Sequence, residues 1–106
     1  MLYVGDTGTL EIYLIDKYQN PLDLTDIKEA WLYIERGNKI LKRECEIKEP
    51  KTSGVIIYKF SPEDLVIGDI DYTFQPVLIF NDDTQLTGSP DIEKVYASLK
   101  SKDEEQ

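Results

Sequence analysis

The feature that most constrains this chain is a period-two alternation that keeps being interrupted. From Thr9 to Ile15, Leu10, Ile12 and Leu14 point one way while Glu11 and Tyr13 point the other. A strand places successive side chains on opposite faces, so this pattern buries one face and wets the other. Six or seven such short segments follow one another, separated by turn signals at roughly 10-residue spacing, the pattern of a β-sandwich or barrel. A second strand is predicted at Glu29–Glu35, with a hairpin turn at Gly37-Asn38. The return strand runs over Ile40–Lys48, with Leu41, Arg43, Cys45 and Ile47 facing inward and Lys42, Glu44, Glu46 and Lys48 facing water. A dense strand is expected at Val55–Phe60, and Ser61-Pro62-Glu63-Asp64 reads as one helical turn. Ile70–Phe80 is a long strand in which Pro76 demands an edge or a bulge. Short strands at Gln85–Thr87 and Lys94–Leu99 complete the set. The expected core is Leu10, Ile12, Leu14, Leu24, Leu32, Ile34, Ile47, Ile57, Phe60, Leu65, Tyr72, Phe74, Val95 and Leu99.

A chain of 106 residues makes one domain. The boundaries predicted are 1–99 for the sandwich and 100–106 for a disordered acidic tail. Twelve basic residues against 21 acidic ones leave a net charge of −9. That charge repels nucleic-acid phosphates and anionic lipid, so neither is an expected partner. No apolar run is long enough to span a membrane, and the first residues carry no signal-peptide pattern, so synthesis in the bacterial cytoplasm is expected. Cys45 is the only cysteine, which excludes an internal disulfide.

Histidine is absent, removing the commonest general base and transition-metal ligand. Neither a Ser-His-Asp nor a Cys-His arrangement can be assembled, and no catalytic residue, cofactor or metal site is assigned. The chain is read as not an enzyme. Two acidic clusters, Asp69 with Asp71 and Asn81-Asp82-Asp83, with Asp91 as a further candidate, offer oxygen ligands for calcium. They lack the spacing of an EF-hand loop and read better as turn chemistry. Gly5-x-x-Gly8 resembles part of a phosphate loop, but no lysine or helix follows it. Asp23-Leu24-Thr25 reads as a loop anchor, with Leu24 closing one end of the core. Tyr13, Trp31 and Tyr33 are the candidate surface-contact residues, an aromatic platform that a sugar could use, although a tryptophan in a sandwich strand more often packs in the core.

Taken in order, "GDTGTLEIYLID", "NPLDLTDIKEAWLYIER" and "TSGVIIYKFSPEDLVIGDIDYTFQPVLIFNDDTQLTGS" form a wider pattern. It joins an opening Gly-Asp-Thr, an Asp-Leu-Thr turn, a Gly-led strand, a tyrosine strand and an acidic hairpin. This order resembles the N-terminal immunoglobulin-like domain of phage baseplate upper proteins and related small phage tail or fibre-associated proteins. The resemblance covers about residues 5–99, and it departs from the family pattern at Asp26, where a glycine is expected. It implies an all-β, immunoglobulin-like β-sandwich of about seven antiparallel strands. It also implies a structural role in a bacteriophage or prophage tail or baseplate, in the virion, as a protein-binding adaptor. The implied partners are other phage tail or baseplate proteins, with a homo-oligomer also considered and its pairing edge left open. Exposed edge strands offer the route to virion proteins, since sheet addition supplies backbone hydrogen bonds. The alternative is a carbohydrate-binding or adhesion module using the surface aromatics. A third class is an acidic inhibitor that mimics nucleic acid.

Overall fold

The computed structural model describes residues 2–98. Leu99 and the expected tail at 100–106 lie outside the described residues. The strands are β1 (Leu2–Tyr3), β2 (Thr9–Tyr13), β3 (Ile27–Arg36), β4 (Lys39–Glu44), β5 (Glu46–Ile47), β6 (Val55–Lys59), β7 (Ile70–Phe80), β8 (Gln85–Thr87) and β9 (Asp91–Tyr96). A single 3-10 turn, Lys51–Ser53, is the only helical element among the described residues. The large sheet has the order β1-β9-β7-β3-β4, with β8 also on β7, and the small sheet the order β2-β6-β5. The two pack as a β-sandwich-like fold. Among the described residues no helix is long and apolar enough to cross a membrane.

Two pairs of strands are each one stretch of chain. β4 leaves the large sheet at Cys45 and continues as β5 in the small one, so a single segment turns the corner between them. β8 and β9 run along the same side of β7. Val77 faces Thr87 and Phe74 faces Asp91, which leaves three residues, 88–90, opposite two, 75 and 76. That extra residue is a bulge, and it answers the proline. The Pro76 carbonyl accepts from Gly88 N–H at 2.9 Å, so its backbone faces β8–β9 and its missing N–H falls where the ladder is already broken. The strand is therefore central rather than an edge. β1 pairs with β9 in parallel, whereas the expectation was antiparallel throughout.

The core follows from the alternation. Ala30, Leu32, Ile34, Tyr72, Phe74, Leu78 and Val95 of the large sheet are buried. They face Ile56 from the small sheet, with Leu10, Ile12 and Tyr58 partly buried against them. Leu24 and Leu65, both fully buried, close the ends. Each such leucine contributes roughly 1.5–3 kcal/mol relative to exposure. An aromatic row of Tyr58, Phe60 and Phe74 runs through the interior, with edge-to-face centroid distances of 5.5 and 5.9 Å. Ile57, expected in the core, instead faces out between Glu11 and Glu46. The reason is pairing. β2 buries Leu10 and Ile12, and their cross-strand neighbours are Tyr58 and Ile56.

At the start of β7 the buried Tyr72 reaches back across the preceding corner. Its hydroxyl donates to the Ile67 carbonyl at 2.9 Å and accepts from Ile67 N–H at 3.0 Å. Tyr72→Phe keeps the ring and strands both backbone groups. We expect a loss of about 1–2 kcal/mol, read as a lower urea midpoint at unchanged m-value.

Candidate protein-binding surface

On β3 the phase that buries Leu32 and Ile34 turns Trp31, Tyr33 and Glu35 to the outer face of the large sheet. The neighbours come from register. Trp31 lies between Glu44 and Val77, Tyr33 between Lys42 and Gln75, and Glu35 between Ile40 and Thr73. One strand further on, Thr73 meets Ile92 and Val77 meets Thr87. Trp31, Tyr33, Thr73, Gln75 and Val77 thus form an uncharged block, with Glu35 beside it on β3 and Lys42 and Glu44 along its β4 side. The flanking isoleucines, Ile40 and Ile92, are 63% and 65% exposed.

Trp31 is held in place at both ends. Its indole N–H donates to Glu29 at 3.1 Å, and the Lys42 ammonium lies 4.2 Å from a ring centroid. That cation–π contact occupies one ring face. Beside it, Tyr33, Glu35, Ile40, Thr73 and Gln75 line a shallow depression of about 190 Å³.

Tyr13 is elsewhere. It projects from β2 on the outer face of the small sheet, and its hydroxyl donates to Glu11. Lys48 reaches the same carboxylate at 3.0 Å. The Tyr13 hydrogen bond first, then Lys48, holds the Glu11 carboxyl below its ordinary value. Of the three candidate contact residues, Trp31 and Tyr33 share a face and Tyr13 does not join them.

The acidic clusters are occupied by their own loops. Asp82 accepts from the Thr84 N–H at 3.0 Å and from its hydroxyl, and Asp83 pairs with Lys28 at 2.6 Å. Asp69 accepts from Ala97 N–H at 3.2 Å, and Asp71 sits across from Lys94. No group of three or more metal-ligating side chains occurs among the described residues. Asp23 accepts from both the N–H and the hydroxyl of Thr25, while Leu24 between them is fully buried. Cys45 is buried, and burial, with a smaller push from Glu44, raises its thiol to about 12. It is protonated at neutral pH and a poor nucleophile.

One polar cluster went unseen in the sequence. Asp64, fully buried, accepts from Arg43 Nε at 2.8 Å, from the Tyr58 hydroxyl and from Ser61 N–H at 2.9 Å. Burial alone pushes its carboxyl up. The bonds from Tyr58, Arg43 and Ser61 together outweigh that and hold it below the ordinary value. Arg36, also buried, donates from Nη1 to the carbonyls of Glu63 and Asp64 at 3.2 and 3.4 Å. Its Nε is the one buried side-chain polar atom without a partner among the described residues. Both Asp64 oxygens are engaged by the chain itself, so the cluster ties β4, β6 and the 61–65 corner together. The available signal was Arg43, a guanidinium in the inward phase of its strand, which requires an anion within reach.

Comparison with protein-family models, with curated proteins and with solved structures returns no match to the chain.

Proposed function

We propose that the chain is a non-enzymatic structural protein of a bacteriophage or prophage tail or baseplate, located in the virion and acting as a protein-binding adaptor. The observation that carries the binding role is the outer face of the large sheet. A chain of net charge −9 keeps an uncharged block there, Trp31, Tyr33, Gln75 and Val77, with the exposed Ile40 and Ile92 at either end of the adjoining Glu35–Thr73 row. Aromatic anchors with a polar rim are the make-up of protein interfaces. The tail assignment draws on the ordered motifs of residues 5–99.

An immunoglobulin-like reading of the sandwich is supported by its strand order. β2, β6 and β5 form one sheet, and β9, β7, β3 and β4 the other, as strands B, E, D and G, F, C, C′ do in that class. The Tyr72 tie to Ile67 matches the tyrosine corner at the start of strand F. The tryptophan departs from that class, because Trp31 faces out and Leu32 fills the core.

The test is capture. Immobilised protein is expected to retain tail or baseplate proteins from a phage lysate, identified by mass spectrometry. Trp31→Ala with Tyr33→Ala is expected to weaken retention at least about tenfold, the size of a hot-spot loss. Binding to a glycan surface that disappears with Tyr13→Ala or Trp31→Ala would overturn this reading in favour of an adhesion module. The placement argues against it, since Tyr13 lies apart from Trp31 and Lys42 covers a ring face that a sugar would stack on.

A further inference from the structure

The β3–β4 hairpin closes on Arg36 and Lys39 around a two-residue turn. In such a hairpin the closing pair exchanges both hydrogen bonds, and every second pair after it does the same. Arg36–Lys39, Ile34–Leu41 and Leu32–Arg43 are therefore the bonded pairs. Ile40, Lys42 and Glu44 turn their N–H and C=O groups outward, to the open side of the large sheet. No backbone hydrogen bond from any other described segment reaches these three residues.

Sheets normally guard such an edge by shortness, proline, a bulge or repelling charge. Here β1 and β5 are two residues long and β8 is three. β2 carries a single charge, Glu11, already paired with Lys48, so it offers a second copy no complementary pair of charges. β4 has six residues, no proline, no register shift against β3, and charges of both signs on its outward positions.

We propose that β4 pairs antiparallel with the β4 of a second copy of this chain, about a two-fold axis through Arg43. In that register Lys42 faces Glu44 of the second copy, and Glu44 faces its Lys42. Both are bonded positions, so the contact has four backbone hydrogen bonds flanked by two ion pairs. Like charges meet only at the axis, and there each Arg43 is already neutralised by its own Asp64 at 2.8 Å. The same pairing prolongs the face bearing Trp31, Tyr33 and Ile40 from one copy into the next. The inference rests on the proposed function only in taking the chain to assemble through its large sheet, and it needs no phage partner.

The test is light scattering after size exclusion over a concentration series. The wild-type mass is expected to rise from 12.2 kDa towards twice that value. Lys42→Glu and Glu44→Lys, each alone, place like charges opposite and are expected to stay at the monomer mass. The double exchange restores both ion pairs in reversed sense and is expected to dimerise again, as is an equal mixture of the two single variants. Lys42→Pro removes an outward N–H while sparing the β3–β4 ladder, and it is also expected to be monomeric. Circular dichroism of each variant reports whether the sandwich is intact. The proposal is overturned if the wild type remains monomeric throughout. It is equally overturned if either single variant dimerises as the wild type does, or if the folded double exchange stays monomeric. Wild-type protein that stays monomeric yet retains tail proteins would separate failure of this contact from failure of the proposed function.

Discussion

Gly54→Ala is expected to destabilise the fold by more than about 3 kcal/mol, because a backbone clash adds to a strained left-handed conformation. Gly54 has φ +71° and caps the turn Lys51–Ser53 in the left-handed region. A β-carbon there would stand 2.7 Å from the Leu14 carbonyl oxygen, 2.8 Å from Leu22 N and 2.9 Å from the Leu22 carbonyl oxygen. All three are backbone atoms, and two of them already share a hydrogen bond, Leu22 N–H to the Leu14 carbonyl at 3.0 Å. The Gly54 carbonyl accepts from Leu14 N–H at 2.7 Å, so the clash lies at the junction of three segments. None can move aside without breaking a bond. Gly37→Ala is the control, with φ +55° and nothing within 4 Å of the added carbon. It bears only the conformational cost of roughly 1–2 kcal/mol. Urea denaturation of both variants isolates the clash as the difference between them.

The second large effect is at Asp64. Asp64→Asn leaves the Arg43 guanidinium without its counter-ion and weakens the bond from Tyr58. Removing one partner of a fully buried pair costs about 3–5 kcal/mol, but the Arg43 side chain is 34% exposed and can turn to water. We expect a loss of about 2–3 kcal/mol. The pH dependence has a definite sign. The folded carboxyl lies below its unfolded value of about 3.9, so between the two values the unfolded chain binds more protons. The stability contributed is complete above the unfolded value and disappears as pH falls through the folded one. Urea midpoints followed from neutral pH into acid should fall for the wild type below about pH 4, and fall less for Asp64→Asn. Equal slopes would show that Asp64 does not carry the acid sensitivity.

Ile70–Phe80 and Gln85–Thr87 were legible to the residue, because an acidic turn separates two runs of strong strand formers. The phase of β3 was legible in Leu32 and Ile34, but the outward placement of Trp31 runs against the expectation that a sandwich tryptophan packs in the core. Val55–Ile57 was not legible. Three consecutive apolar residues carry no alternation, and only the partner strand decides that Ile56 goes in and Ile57 out. The last strand starts at Asp91 rather than Lys94, because the Gly-Ser-Pro that looked like a break is a bulge in a continuing ladder. The Asp64 cluster was invisible for a different reason. Its partners come from β4, β6 and the following corner, and no spacing along the chain encodes their meeting. β1 was equally hidden, since two residues hold no period.

The segment that turns at Cys45 also settles how this molecule responds to being pulled. β4 and β5 belong to different sheets yet form one uninterrupted stretch, and β1 and β2 cross between the sheets in the same way on the opposite flank. The two layers are laced along both sides. Neither can slide over the other or open like a book without drawing on its own hydrogen bonds, so shear along the sheets loads several ladders at once.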